Sequence, residues 1–159
     1  LLQFTNFNEK IFISRNNTVS IVLNLDHNIN KKGVNKMSIN IEKLNKILTE
    51  FASTTSDIQG AALVTPDGLP LATTLPGRMD EERVSAMSAS MLSLGERIGK
   101  ELARGNVARI FVEGEEGYGI LTSCTEEALF LVLASRQAKQ GVLMLEIKRI
   151  LEELRLVLT

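Results

Sequence analysis

Residues able to do chemistry are few in this sequence. Three carboxylates, Glu113, Glu115 and Glu116, crowd the segment Glu113-Gly-Glu-Glu-Gly-Tyr-Gly119. Such a cluster is material for a hard-cation site or a general acid/base pair. No further ligands stand at suitable spacing, so a solvated turn is the better account. The glycines of the same segment superficially resemble a nucleotide loop, but their order is wrong and they link two strands without opening a helix. No Gly-x-x-x-x-Gly-Lys-Ser/Thr run occurs. His27 is the only histidine and Cys124 the only cysteine, which removes histidine-dependent nucleophilic sites, thiolate clusters and a disulfide framework. Cys124 stands at a turn with no basic neighbour in sequence to lower its pKa, so it reads as an ordinary thiol. The expectation is a chain with no catalytic, metal-binding or cofactor-binding residues: not an enzyme.

Bulk properties exclude other classes. The chain has 159 residues, a net charge of −1 and seven aromatics, Tyr118 among them. No basic run is interleaved with stacking residues, so nucleic acid is not an expected partner. No stretch approaches the roughly 18 apolar residues of a membrane span, and no secretory signal pattern is present. A lone cysteine fits a reducing compartment, and the expected location is cytoplasmic.

With little chemistry to position, the elements themselves carry the information. The organising stretch runs from Asp80 to Arg104. Val84, Met87, Met91, Leu94, Ile98 and Leu102 recur at helical steps, with acids at the start, bases at the end, Asp80 as candidate N-cap and Gly105 as candidate C′ glycine. Beside them runs a line of Ser88, Leu92, Gly95 and Gly99. Glycine costs about 1 kcal/mol against alanine inside a helix, so two of them four apart need a reason. Either they admit a partner helix, or they clear room for a bulky side chain of the same domain. The helix alone leaves both open.

Around it, residues 38 to 53 form a helix with Ser38 or Asn40 as cap. Ile58–Thr65 reads as a doubly covered strand, and Thr65-Pro66-Asp67-Gly68 as a turn. Leu69–Leu75 reads as a strand confined to an edge by Pro70. After the organising helix come strands at Val107–Glu113, Tyr118–Ser123 and Ala128–Ala134, then a helix from about Lys139 to Val157. Such short links permit antiparallel neighbours only, giving a five-stranded antiparallel sheet with helices on both faces.

Residues 1–36 differ in character. They hold eight Asn and no Ala, with a charge of +3 against −4 for residues 37–159, and the first methionine is Met37. The favoured reading is a non-native or weakly ordered extension, translated from upstream AT-rich sequence, ahead of one domain at 37–159. The competing reading is a β-hairpin, Lys10–Ser14 and Thr18–Leu25, turning at Asn16-Asn17.

Three stretches resemble the Roadblock family, which includes Roadblock-type dynein light chains and the bacterial gliding-motility regulator of a Ras-like GTPase. They are Gly60-Ala-Ala-Leu-Val-Thr-Pro-Asp-Gly-Leu-Pro-Leu-Ala72, the Asp80-Glu-Glu-Arg-Val-Ser-Ala86 helix start and Gln140-Gly-Val-Leu-Met-Leu-Glu-Ile-Lys-Arg149. The likeness spans roughly Ile39 to Leu158. It implies an α/β fold of profilin-like α+β type. The sheet order, counted within the domain, is 2-1-5-4-3, with the central helix on one face and the first and last helices on the other.

The resemblance further implies a homodimer, in which the third strand pairs with its twin while the central helices pack together. On that basis the expected dimer interface is Ser88, Leu92, Gly95, Gly99, Ile110, Phe111 and Val112. The implied function is a non-enzymatic regulator or scaffold of a small Ras-like GTPase, with Arg78, Arg83 and Arg97 as candidate GTPase-facing residues. Each of these arginines alone reads equally as solvated helix-flank charge. The alternatives are a light-chain-like adaptor and, less favoured, a small-ligand sensor.

Overall fold

The computed structural model describes residues 9–13, 18–23 and 38–159. Its elements are β1 (Glu9–Ile13), β2 (Thr18–Leu23), β3 (Ser38–Asn40), α1 (Ile41–Thr54), β4 (Ile58–Val64) and β5 (Pro70–Thr74). They continue with α2 (Glu81–Glu101), β6 (Arg109–Gly114), β7 (Gly117–Thr125), β8 (Ala128–Ser135) and α3 (Gln140–Leu158). The five strands from β4 onward form one antiparallel sheet, β5-β4-β8-β7-β6. That is the expected 2-1-5-4-3 order.

Why the sheet has this centre is visible in its residues. β4 and β8 are apolar on both faces and almost wholly buried, so each needs a ladder on both sides and a helix over each face. β5 lies at one edge, where Pro70, which lacks an amide hydrogen, costs no ladder bond. β6 is the other edge, paired only with β7 among the described residues.

α1 and α3 cover one face together. Leu44, Leu48, Phe51, Ile147 and Leu154 bury against Leu63, Ile120, Phe130 and Val132, and the rings of Phe51 and Phe130 tilt together at 6.0 Å. α1 is capped by Asn40, whose side-chain oxygen accepts the Lys43 amide at 3.0 Å; of the two cap candidates, Asn40 acts. α2 covers the other face, over Ala62, Val64, Leu121, Leu129 and Leu131.

α2 starts as expected, with the Asp80 carboxylate accepting the Arg83 amide at 3.1 Å. Its end differs. The left-handed C′ residue is Ala103, at φ 52°, while Gly105 lies two residues further on in the loop. The Arg104 amide donates to the Gly99 carbonyl and the Ala103 amide to that of Lys100, the paired bonds of a Schellman ending. The helix stops two residues earlier than the glycine suggests, with the Leu102 amide bonded to the Ile98 carbonyl.

β1 and β2 pair antiparallel, and β2 pairs with β3 in the order β1-β2-β3. Of the hairpin reading, Ser14, the Asn16-Asn17 turn, Asn24 and Leu25 lie outside the described residues, as does Met37.

Candidate functional site

The residues with chemical capacity are not gathered into a site. Glu113 ends the edge strand β6, and Glu115 and Glu116 lie exposed in the β6–β7 turn. Arg136 donates to the Gly114 carbonyl at 2.8 Å and stands 3.8 Å from the Glu113 carboxylate, so this turn is an exposed, partly neutralised structural corner. Among the described residues no group of three or more His, Cys, Asp and Glu side chains is placed to hold a metal ion. Cys124 is buried on β7, and burial pushes its thiol up to about 11, opposed in part by the positive charge of Arg155. Arg155 donates to the Cys124 carbonyl at 2.8 Å. A thiol so protonated is a poor nucleophile. An apolar cleft of about 190 Å³ beneath Ile39, Leu71, Ala128 and Leu158 falls below the usual size of a small-molecule site.

The candidate surface is instead apolar, and it lies along α2 and β6. Ser85, Ser88 and Gly99 are the buried residues of α2. The two serine hydroxyls donate to the carbonyls four residues back, at 2.7 and 2.8 Å, so they bury without an orphaned polar group. A Cβ on Gly95 would lie 2.5 Å from Ile110 Cδ1. One on Gly99 would lie 2.8 Å from the Gly105 carbonyl oxygen and 2.9 Å from Val107. Within the chain, Gly95 and Gly99 clear room for its own β6 and for the loop before it.

The apolar stripe is what remains free. Met87, Leu94, Ile98 and Leu102 are each about half exposed or more, Leu94 at 59% and Ile98 at 49%. Met91, Leu94, Ile98 and Leu102 lie to one side of Gly95, which itself abuts Ile110 of β6. On β6, Phe111 and Val112 stand 44% and 51% exposed beside unpaired backbone groups, while Ile110 is half-buried against α2. Arg109 points to the opposite face, where it reaches the Met144 sulfur of α3 at 3.4 Å. Of the seven residues expected at an interface, Phe111 and Val112 are therefore open to a partner. Ser88 and Gly99 are occupied within the chain, and Leu92, Gly95 and Ile110 are partly so.

Reasoning from sequence missed Met87, Leu94, Ile98 and Leu102 as surface residues, although it saw their stripe. The sequence alone left the facing of the small residues open, and the resemblance placed them toward a partner. The usable signal was Ser85, which extends the small line by one turn and faces the sheet with it. Arg78, Arg83 and Arg97 are all exposed. Arg83 and Arg97 lie fourteen positions apart, roughly 21 Å along the helix, so the three do not form one cluster. Arg97 lines a shallow groove with Pro66, Ser90, Ser93 and Leu94.

Known proteins share this fold. The chain is similar to the uncharacterised protein MJ1340 of Methanocaldococcus jannaschii, 30% identical over 112 residues that cover 70% of this chain and 96% of that protein. Among solved structures it is similar to the Roadblock/LC7 domain from Streptomyces avermitilis, with a TM-score of 0.65 at 20% identity, covering 70% of this chain and 93% of that one. It is similar also to Myxococcus xanthus MglB, with a TM-score of 0.67 at 16% identity, covering 74% and 89%. The family model described as the Roadblock/LC7 domain matches residues 44–134, from near the start of α1 to the last residues of β8. With its sheet order, its central helix and that match, the chain belongs to the Roadblock/LC7 family.

Proposed function

We propose that the chain is a homodimeric, non-enzymatic platform that regulates or scaffolds a small Ras-like GTPase. The single observation behind this reading is that an exposed apolar stripe on α2 and an open β6 edge lie on adjoining elements. Half-exposed Leu94 and Ile98 lie on the helix whose Gly95 abuts Ile110 of β6, and Phe111 and Val112 stand exposed on opposite faces of that unpaired strand. A lone, apolar edge strand templates aggregation, whereas a twin across a two-fold axis satisfies both the ladder and the apolar stripe. An interface on the order of 1,600 Å² in total is typical of stable pairs. In this proposal Met87, Leu94, Ile98, Phe111 and Val112 meet the partner, while Gly95 and Gly99 let β6 sit close to α2.

The GTPase docks on the surface that paired α2 helices build, with Arg78, Arg83 and Arg97 along its polar flank. An activator of this kind works by ordering the GTPase's own switch loops around the nucleotide. The test has two parts. Light scattering on Leu94→Glu/Ile98→Glu should show a smaller particle than the native chain with unchanged helical circular dichroism; an unchanged mass refutes the interface. Single-turnover GTP hydrolysis by a Ras-like GTPase, with and without the chain, then tests regulation. Binding without a rate change identifies an adaptor, and no binding rejects the GTPase as partner.

A further inference from the structure

The face of α3 turned away from the sheet carries a pattern that the proposed dimer does not use. Leu145 and Leu156 are 68% and 81% exposed. Between them stand a basic pair, Lys148-Arg149, and an acidic pair, Glu152-Glu153, all exposed. Eleven positions make about three helical turns, so the two leucines fall on one line with Arg149 and Glu152 beside it. The order is apolar, basic, acidic, apolar, symmetric in position about the point between Ile150 and Leu151.

A twin helix running antiparallel across a two-fold axis at that point sets Leu145 against the partner's Leu156. It also sets Lys148-Arg149 against the partner's Glu152-Glu153, and the axis repeats both contacts. A parallel twin would set base against base and acid against acid. Charge complementarity of this kind fixes register and suppresses the wrong orientation. Pairing within the helix accounts for the charges poorly. Lys148 with Glu152 and Arg149 with Glu153 have the base N-terminal to the acid, the weaker order. The ion pair that α3 does form is Arg149 with Glu146 at 2.7 Å, and Glu152 and Glu153 take part in none among the described residues.

We propose that α3 is a second self-association surface, on which two copies of this chain pair antiparallel. It lies on the sheet face opposite α2, so it joins units rather than competing with the α2 and β6 contact. A helix of 19 residues spans about 28 Å, and one helix pair buries less than a standard interface. The contact is accordingly weak, and it depends on concentration and salt.

Sedimentation velocity on the full chain over a range of concentrations tests this. Lys148→Glu/Arg149→Glu makes this four-residue charge pattern wholly acidic, and Glu152→Lys/Glu153→Lys makes it wholly basic. Each alone should lose the larger species that the native chain forms, and an equal mixture should restore it through heterotypic pairs. Leu156→Gln should shift the association to several-fold higher concentration without changing the charge. Native-like mass for either double variant, or no recovery on mixing, overturns the proposal. In a Leu94→Glu/Ile98→Glu background the same comparison reads the α3 contact alone, so failure of the α2 interface leaves the result interpretable.

Discussion

Ala103 holds a backbone conformation that L-residues avoid. At φ 52° its Cβ crowds the following carbonyl, at a cost of roughly 1–2 kcal/mol. Glycine removes the crowding but gives back part of the gain as unfolded-chain entropy. Ala103→Gly should therefore stabilise the chain by about 1 kcal/mol and raise its thermal midpoint by about 4 °C, as calorimetry would show; a lower midpoint refutes the assignment of Ala103 as the helix C′ residue. Cys124 makes a prediction of a different kind. Burial raises its thiol from 9.0 to about 11, so across that window the folded state holds a proton that the unfolded state has lost. The thiol's contribution is fully present below about pH 9 and is lost as pH rises toward 11. Urea midpoints at about pH 8 and pH 10.5 should fall further apart for the native chain than for Cys124→Ala, which lacks the titrating group. An equal drop in both removes Cys124 as the cause.

At the scale of elements, α2 and its two glycines decide how close β6 can come. Substitution at either restores about 1 kcal/mol of helix propensity, but the space differs. At Gly95 the obstacle is the flexible end of Ile110, whereas at Gly99 it is the backbone oxygen of Gly105 together with Val107. Gly99→Ala should cost about 1–3 kcal/mol in urea unfolding, and Gly95→Ala close to nothing; equal effects would contradict this packing. These elements also show what sequence could and could not reveal. The Pro70 edge and the double cover of β4 and β8 were legible because each follows from hydrogen-bond satisfaction or apolar patterning along a few residues, whereas the strand order came from the family resemblance. Which line of α2 faces the sheet was not legible. Facing depends on Ile110, fifteen residues after Gly95 and on another element, filling the notch that Gly95 leaves. The exposed leucines of α3 escaped for a similar reason: periodicity identified the buried face through Leu143, Ile147, Ile150, Leu151 and Leu154, and the opposite face gave no signal until its exposure was known.

The two proposed self-association surfaces are of opposite physical character, which makes the proposed assembly separable by salt. The α2 and β6 surface is apolar, and burial of apolar area is insensitive to ionic screening or strengthened by excluded salts. The α3 surface relies on exposed charges, whose attraction fades once the Debye length falls to about 3 Å near 1 M salt. Raising sodium chloride from about 0.05 M to about 1 M should dissolve only the α3 contact. The native chain should then settle at the mass of the α2-linked pair and stop there. The charge-inverted α3 variants should show that mass at high salt, while Leu94→Glu/Ile98→Glu should reach the single-chain mass. Static light scattering across the salt series reads all three. A native chain that falls to a single subunit at high salt would mean that charge, and not the apolar stripe, holds the primary pair.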